Sequence, residues 1–166
     1  MSYGRNVEAA AVLDLLVGRD ATLATAESLT GGMLAGRVTS VPGASRAYVG
    51  GVVGYATEVK QDLLGVPEAL VERHGVVSPE CARAMAEGVR RLLGATYALS
   101  TTGVAGPDSQ EGRPVGTAFV GVAGPDVLTV VSLELSGTRG QIRERTCDEA
   151  LAALGGILRG EEPGLR

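Results

Sequence analysis

Six consecutive residues, Glu27-Ser28-Leu29-Thr30-Gly31-Gly32, carry the hydroxyls and glycines from which chemistry could be built in this chain. Small and apolar residues run into them from Leu23, so a buried strand ends in hydroxyls just where two glycines open a helix. Such a junction sets a hydroxyl beside backbone N–H groups that lack intrahelical partners, a setting that favours a bound anion or an oxyanion. A serine there is most often a helix cap, so Ser28 reads either as an N-cap or as a nucleophile, and the stretch alone favours the cap.

A serine nucleophile needs a base. The single histidine, His74, stands just before Gly75 at the end of a helical pattern, where a cation is favoured and a structural role follows. Triads and metal clusters built on several histidines are therefore excluded, and the scattered acids have no metal-ligand spacing, so neither a metal nor a cofactor is expected. Lysine or tyrosine remains. The chain has one lysine, Lys60. With Thr57 as N-cap, Lys60 takes the third helical position, near the positive end of the helix dipole, which lowers its pKa. Burial against the strand of Gly50, Gly51 and Gly54 would lower it further and make a usable general base. Tyr55, at the end of that strand, could orient Lys60 or relay a proton. The same two residues also read as a solvated lysine and a tyrosine covering the core, and spacing alone favours that.

Two further stretches could hold a ligand. The loop Thr101-Thr102-Gly103-Val104-Ala105-Gly106-Pro107-Asp108 follows a strand and should share the carboxyl-end crevice with Ser28. Its length and composition favour binding, with Thr102, Gly103, Ala105 and Gly106 as contacts. Arg139, Arg143 and Arg145 cluster at the start of the last helix, where positive charge is unfavourable and a bound phosphate would compensate. Solvated arginines offset by Glu144 and Asp148 explain the cluster equally well. Neither a GxxxxGK[ST] loop nor a GxGxxG turn after a strand is present.

The elements that must position these residues follow from periodicity and breakers. Helices are expected over Val7–Val17 (capped by Asn6), Thr30–Ser40, Thr57–Leu64, Pro67–His74, Ser78–Leu93 and from Thr138 to about Leu158. Strands are expected at Thr22–Ala26, Tyr48–Ala56, Tyr97–Thr102, Val115–Ala123 and Val127–Leu135, the last two joined as a hairpin by Gly124-Pro125-Asp126. Ser78-Pro79-Glu80 is a strong start: a cap, a proline in the first turn, and an acid facing the dipole. Strands separated by helices, then one hairpin, predict a three-layer α/β/α sandwich with a mixed, mainly parallel sheet and one antiparallel strand. No linker divides residues 1–166, so a single domain is expected, with a loose tail over 160–166.

Composition narrows the partners. With one Phe, four Tyr and no Trp among 166 residues, the core must be built from Ala, Val and Leu, and 25 glycines allow close backbone approach. A net charge of −4 without a basic stripe or stacking aromatics excludes nucleic acid. No apolar run reaches the roughly 20 residues a bilayer requires, and no signal-peptide pattern opens the chain. Cys81 and Cys147 lie in helical patterns without CxxC spacing and read as small buried hydrophobes, which suits the cytoplasm. Assembly into a homo-oligomer stays open.

Taken in order, Ala26-Glu27-Ser28-Leu29-Thr30-Gly31-Gly32, Val41-Pro42-Gly43-Ala44-Ser45, Gly50-Gly51-Val52-Val53, Tyr55 with Lys60, Leu64-Gly65-Val66, His74-Gly75-Val76-Val77-Ser78, Gly103-Val104-Ala105-Gly106-Pro107-Asp108 and Pro114-Val115-Gly116-Thr117 resemble one family, the CinA C-terminal domain, which also occurs as a stand-alone nicotinamide-nucleotide amidase. The match runs from about residue 5 to 158. The resemblance implies hydrolysis of nicotinamide mononucleotide to nicotinate mononucleotide and ammonia, and a Ser–Lys–Tyr site mapping to Ser28, Lys60 and Tyr55. With it come an oxyanion held by N–H groups at Thr30, Gly31 and Gly32, base and ribose contacts from the Thr102–Gly106 loop, and a phosphate held by Arg143 or Arg145. Two positions depart from the family pattern: Thr57 stands where Asn or Asp is usual, and Ser109-Gln110 replaces a common Gly-Gly pair, stiffening the loop. The competing reading is a non-catalytic nucleotide-binding or sensing domain, and an amidase or esterase of another substrate is a third.

Overall fold

The computed structural model describes residues 6–161. Along the chain run α1 (Asn6–Val17), β1 (Leu23–Glu27), α2 (Met33–Thr39), a single 3-10 turn (Ala44–Arg46), β2 (Tyr48–Val53), α3 (Thr57–Asp62), α4 (Glu68–His74), α5 (Pro79–Leu93), β3 (Tyr97–Gly103), β4 (Thr117–Ala123), β5 (Leu128–Glu134) and α6 (Arg139–Leu158). The strands form one sheet in the order β2-β1-β3-β4-β5. β1 is parallel to both β2 and β3, and β4 is antiparallel to both β3 and β5. Four strands thus point one way and β4 the other, the mixed and mainly parallel sheet that the sequence predicts.

Strand alternation builds the two outer layers. Leu23, Leu99, Val120 and Val122 meet Val12 and Leu16 of α1, Leu34 of α2, and Leu151 and Leu154 of α6. Ala24, Ala26, Ala98, Phe119 and Ala123 face Met85, Ala86 and Val89 of α5 and the Leu64–Val66 turn. Small residues let α5 come close: a Cβ on Gly121 would lie 2.5 Å from the Ala82 carbonyl oxygen, and one on Gly88 would collide with the Leu64 carbonyl. In a core with almost no aromatic rings, this close approach keeps the interior dense.

Several helix ends follow the sequence signals. Ser78 Oγ accepts from the Cys81 N–H at 3.1 Å, with Pro79 as the first helical residue. Thr138 and Gln141 form a reciprocal capping box on α6. His74 ends α4 against Gly75, its Nδ1 lying 3.6 Å from Glu80 Oε1.

Several boundaries differ, and three of them bear on the residues around Ser28 and Lys60. The expected helix at Thr30 begins at Met33, because Gly31 and Gly32 take left-handed φ values of 56° and 100° in a turn that precedes it. β2 stops at Val53 rather than Ala56; the Gly54 N–H still pairs with the Glu27 carbonyl, but Tyr55 and Ala56 lead away into α3. Thr57 does not cap α3, since Ala56 holds the N-cap position and no side-chain bond closes that end. The Asn6 side chain and the tail beyond residue 161 lie outside the described residues.

Between β1 and β3 the chain reverses its direction of travel across the sheet, going from β1 to β2 on one side and later to β3 on the other. The crevice beyond the carboxyl ends of such neighbours is where open α/β sheets bind ligands. Ser28 leaves β1 there, and its N–H extends the ladder by donating to the Thr101 carbonyl at 2.9 Å.

Candidate active site

The crevice at that switch point holds a cavity lined by Ser28, Leu29, Tyr55, Thr57, Lys60, Val76, Val77, residues 102–106, Asp108, Gln110 and Arg139. Of the residues singled out in the sequence, the fold brings together Ser28, Lys60, Tyr55, Thr102, Gly103, Ala105 and Gly106. Thr30, Gly31, Gly32, Arg143 and Arg145 stand outside the lining.

Lys60 is the centre of the arrangement. It is 1% exposed, the bulkiest of the fully buried side chains, and its stem packs where Gly54 leaves room. Its Nζ donates to Ser28 Oγ at 3.1 Å and to the Tyr55 backbone carbonyl at 3.1 Å. No carboxylate pairs with it among the described residues. Burial lowers its pKa below the ordinary value of 10.5, while coulombic coupling to Cys81, Glu111 and Glu58 pulls the other way. Of the two causes that the sequence suggested, the helix dipole and burial, burial is the largest in the structure. A neutral amine 3.1 Å from a hydroxyl can accept its proton, and a serine so placed can attack an electrophilic carbon.

Tyr55 serves this pair in an unexpected way. Its carbonyl, not its hydroxyl, orients Lys60, while the ring is 61% exposed and its hydroxyl accepts from Arg139 Nη2 at 3.2 Å. Arg139 also donates through Nη1 to the Gly106 carbonyl. Both partners are neutral, so the guanidinium keeps its full charge at the cavity mouth. The three arginines of the α6 start thus divide. Arg143 donates to the Leu29 carbonyl at 2.9 Å and the Thr30 carbonyl at 3.0 Å, bracing the turn behind Ser28, and Arg145 is exposed on α6. Arg139 alone of the three reaches the cavity.

The turn after Ser28 departs from the expected anion cradle for a physical reason. Glu27, 1% exposed, already occupies the start of α2: its carboxylate accepts from the Leu34 N–H at 2.8 Å, the Ala35 N–H at 3.1 Å and the Thr30 hydroxyl at 2.7 Å. Thr30 Oγ1 lies 2.7 Å from Thr101 Oγ1, extending the network to β3. The Gly31 N–H is spent on the Ser28 carbonyl at 3.1 Å. The positive end of this helix is neutralised by the chain itself. Thr102, on the other wall, donates its hydroxyl to the Val76 carbonyl at 2.7 Å and meets the cavity as an acceptor.

The sequence left Glu111 unmarked, though its carboxylate accepts from the Val76 and Val77 N–H groups, and Gln110, noted there only as a departure from a Gly-Gly pair, lines the cavity. Only the Glu-Gly pair at 111 and 112 could have marked a tight turn there. Cys81 and Cys147 are buried and free, with burial pushing their thiols up to about 11 and about 12. Among the described residues no helix is long and apolar enough to cross a membrane.

The model of the CinA C-terminal domain matches residues 6–158. The chain belongs to this family. It is 57% identical over 149 residues to a CinA-like protein of Frankia casuarinae, covering 90% of this chain and 34% of that protein. It is 47% identical over 152 residues to a putative competence-damage inducible protein of Caldanaerobacter subterraneus, covering 91% of this chain and 37% of the relative. The chain therefore spans about a third of the length of these relatives. Among solved structures, the competence damage-inducible protein A of Klebsiella pneumoniae superposes with a TM-score of 0.92 at 30% identity, over 95% of this chain and 99% of that one. A competence/damage-inducible protein of Agrobacterium tumefaciens gives 0.89 at 29% identity, over 93% and 95%. The CinA fold thus carries the crevice, and its architecture is the three-layer sandwich described above.

Proposed function

We propose that this CinA domain is an amidohydrolase that converts nicotinamide mononucleotide to nicotinate mononucleotide and ammonia, with Ser28 as nucleophile and Lys60 as general base. The observation that carries this reading is the buried Lys60 amine, without a carboxylate partner among the described residues, 3.1 Å from Ser28 Oγ in the crevice at the switch point. A solvated structural lysine would not be desolvated against a hydroxyl.

In the proposed cycle neutral Lys60 takes the Ser28 proton as Oγ attacks the carboxamide carbon. The N–H of Leu29, the lining residue next after the nucleophile, donates to the developing oxyanion in place of the Thr30–Gly32 groups. The Lys60 ammonium returns its proton to the amide nitrogen as the carbon–nitrogen bond breaks and ammonia leaves. Lys60 then deprotonates water, which attacks the acyl carbon, and Ser28 departs with the proton held by Lys60. Tyr55 contributes its carbonyl to hold Lys60 and its exposed ring to the cavity mouth. The phosphate is met there by Arg139, a fork-shaped cation whose present partners are both neutral, rather than by Arg143 or Arg145. Thr102, Gly103, Ala105 and Gly106 wall the base and ribose.

The test is ammonia release from nicotinamide mononucleotide by the wild type, Ser28→Ala and Lys60→Ala. General-base catalysis of this type contributes about 10²- to 10⁴-fold, so both variants should fall at least that far. A wild type no faster than the variants would leave a non-catalytic nucleotide-binding domain as the reading.

A further inference from the structure

One wall of the cavity is a loop, residues 104–116, whose base is closed by the Val104 N–H on the Thr117 carbonyl and the Gly116 N–H on the Val104 carbonyl, at 2.8 and 2.9 Å. Its tip is a two-residue hairpin: Gln110 and Arg113 exchange both backbone hydrogen bonds, and Glu111 and Gly112 between them have φ values of 53° and 71°. Positive φ at both central positions is the geometry of a type I′ turn, which Asn, Asp and Gly accept readily and glutamate does not. Glutamate in this conformation needs a compensating contact, and it has one. Its carboxylate reaches across to the Gly75–Val77 turn, accepting from the Val76 N–H at 3.1 and 3.0 Å and from the Val77 N–H at 2.9 Å. Gly75 makes the space, since a Cβ there would collide with the Glu111 carboxylate. Val76 and Val77 line the cavity, and so do Ala105, Gly106, Asp108 and Gln110 of the loop. Behind Glu111, the Arg113 guanidinium lies 5.6 Å from the Phe119 ring centroid and steadies the hairpin from its other side.

We infer that the Glu111 carboxylate is a positioning group that clamps the 104–116 loop onto the Gly75–Val77 turn and so sets the width of the cavity beside Ser28. The part of this inference that concerns substrate rests on the amidase reading; the clamp itself does not. Two walls from distant parts of the chain are joined at the loop tip by the Glu111 side chain and, from β3, by the Thr102 hydroxyl on the Val76 carbonyl, whereas the base of the loop is held by backbone pairing that no side-chain change removes. Glu111 also faces Lys60 electrostatically, together with Glu58 and Cys81, so its charge bears on the base as well as on the wall.

Glu111→Ala and Glu111→Gln are compared with the wild type by amide hydrogen exchange without substrate and by steady-state kinetics on nicotinamide mononucleotide. Exchange should accelerate about tenfold or more at Val76, Val77 and residues 104–116 in Glu111→Ala, while α5 and the sheet keep their protection. Glu111→Gln, which retains one acceptor oxygen, should fall between. In the kinetics KM should rise about tenfold in Glu111→Ala with kcat less affected, because the wall and not the Ser28–Lys60 pair is displaced. In Glu111→Gln the acid limb of kcat/KM should move to lower pH, since losing a negative neighbour lowers the proton affinity of Lys60. Unchanged exchange, or acceleration spread evenly over the fold, overturns the clamp, and so does an unaltered KM in an active enzyme. A wild type that releases no ammonia sinks the amidase reading and leaves exchange to decide this one.

Discussion

Glu27 and Lys60 are each 1% exposed, both adjoin Ser28, and are the two charged side chains that this fold buries completely among its described residues. Their surroundings are opposite. The Glu27 carboxylate collects two backbone N–H groups and a hydroxyl, so its lone pairs are spoken for and the start of α2 is neutralised. The Lys60 amine has one hydroxyl and one carbonyl and, among the described residues, no carboxylate within pairing distance. A buried ion with a complete set of partners stabilises, whereas one without a counter-charge shifts its pKa towards the neutral form. The first arrangement holds a turn in place and the second leaves an amine disposed to give up its proton.

The sharpest break between the two is functional. Lys60→Met should lose about 10²- to 10⁴-fold in the rate of ammonia release while its thermal midpoint holds or rises, because methionine fills the same space without a desolvated amine. Glu27→Ala should do the reverse in kind: unpaired N–H groups and a lost buried carboxylate cost about 3 kcal/mol, a fall of roughly 6–12 °C for a chain of this size. Parallel losses of both properties in both variants would dissolve the distinction.

A smaller contrast sharpens it within the arginines. Arg139→Gln should raise KM for nicotinamide mononucleotide about tenfold, leave nicotinamide riboside unaffected and leave stability alone. Arg143→Gln, which abandons the Leu29 and Thr30 carbonyls, should instead lower stability by about 1–2 kcal/mol. Equal discrimination between the two substrates in wild type and Arg139→Gln would remove the phosphate contact.

The pH dependence of stability gives a finer test. Lys60 has a folded pKa below its unfolded value, so the unfolded chain binds the extra proton and stability rises with pH in the window between the lowered value and 10.5. The advantage of Lys60→Met over the wild type should therefore be full on the acid side of that window and vanish by its upper end. Thermal melts at stepped pH measure it; an advantage that grows with pH would refute a lowered pKa. The smallest effect is expected at the thiols: with Cys81 and Cys147 pushed up to about 11 and about 12, both should resist thiol reagents at neutral pH until the chain is unfolded.

Strand and helix periodicities were strong enough to place nearly every element, and the strand-helix alternation with a closing hairpin implied the layers and the single antiparallel strand. The helix starts that moved did so where the local capping signals were not used. α2 starts late because Glu27, seven residues before Leu34, supplies the cap that Ser28 or Thr30 would have supplied locally. α3 starts without a side-chain cap at all. Neither fact leaves a trace in a window of neighbouring residues.

The site divides along the same line. Residue types alone determined that a serine nucleophile in this chain could call only on lysine or tyrosine, because there is one histidine and one lysine to choose from. They also marked the loop after β3 and the arginines of α6 as candidates. Only the tertiary structure decided which of these meet. Burial of Lys60 depends on Gly54 and on packing from several elements, the separation of Arg139 from Arg143, which lie one turn apart on the same face of α6, depends on how far along the crevice that helix begins, and the Glu111 clamp joins residues 34 and 35 positions apart. Composition limits which chemistry is available; proximity and desolvation, which select among the available groups, are properties of the packed chain.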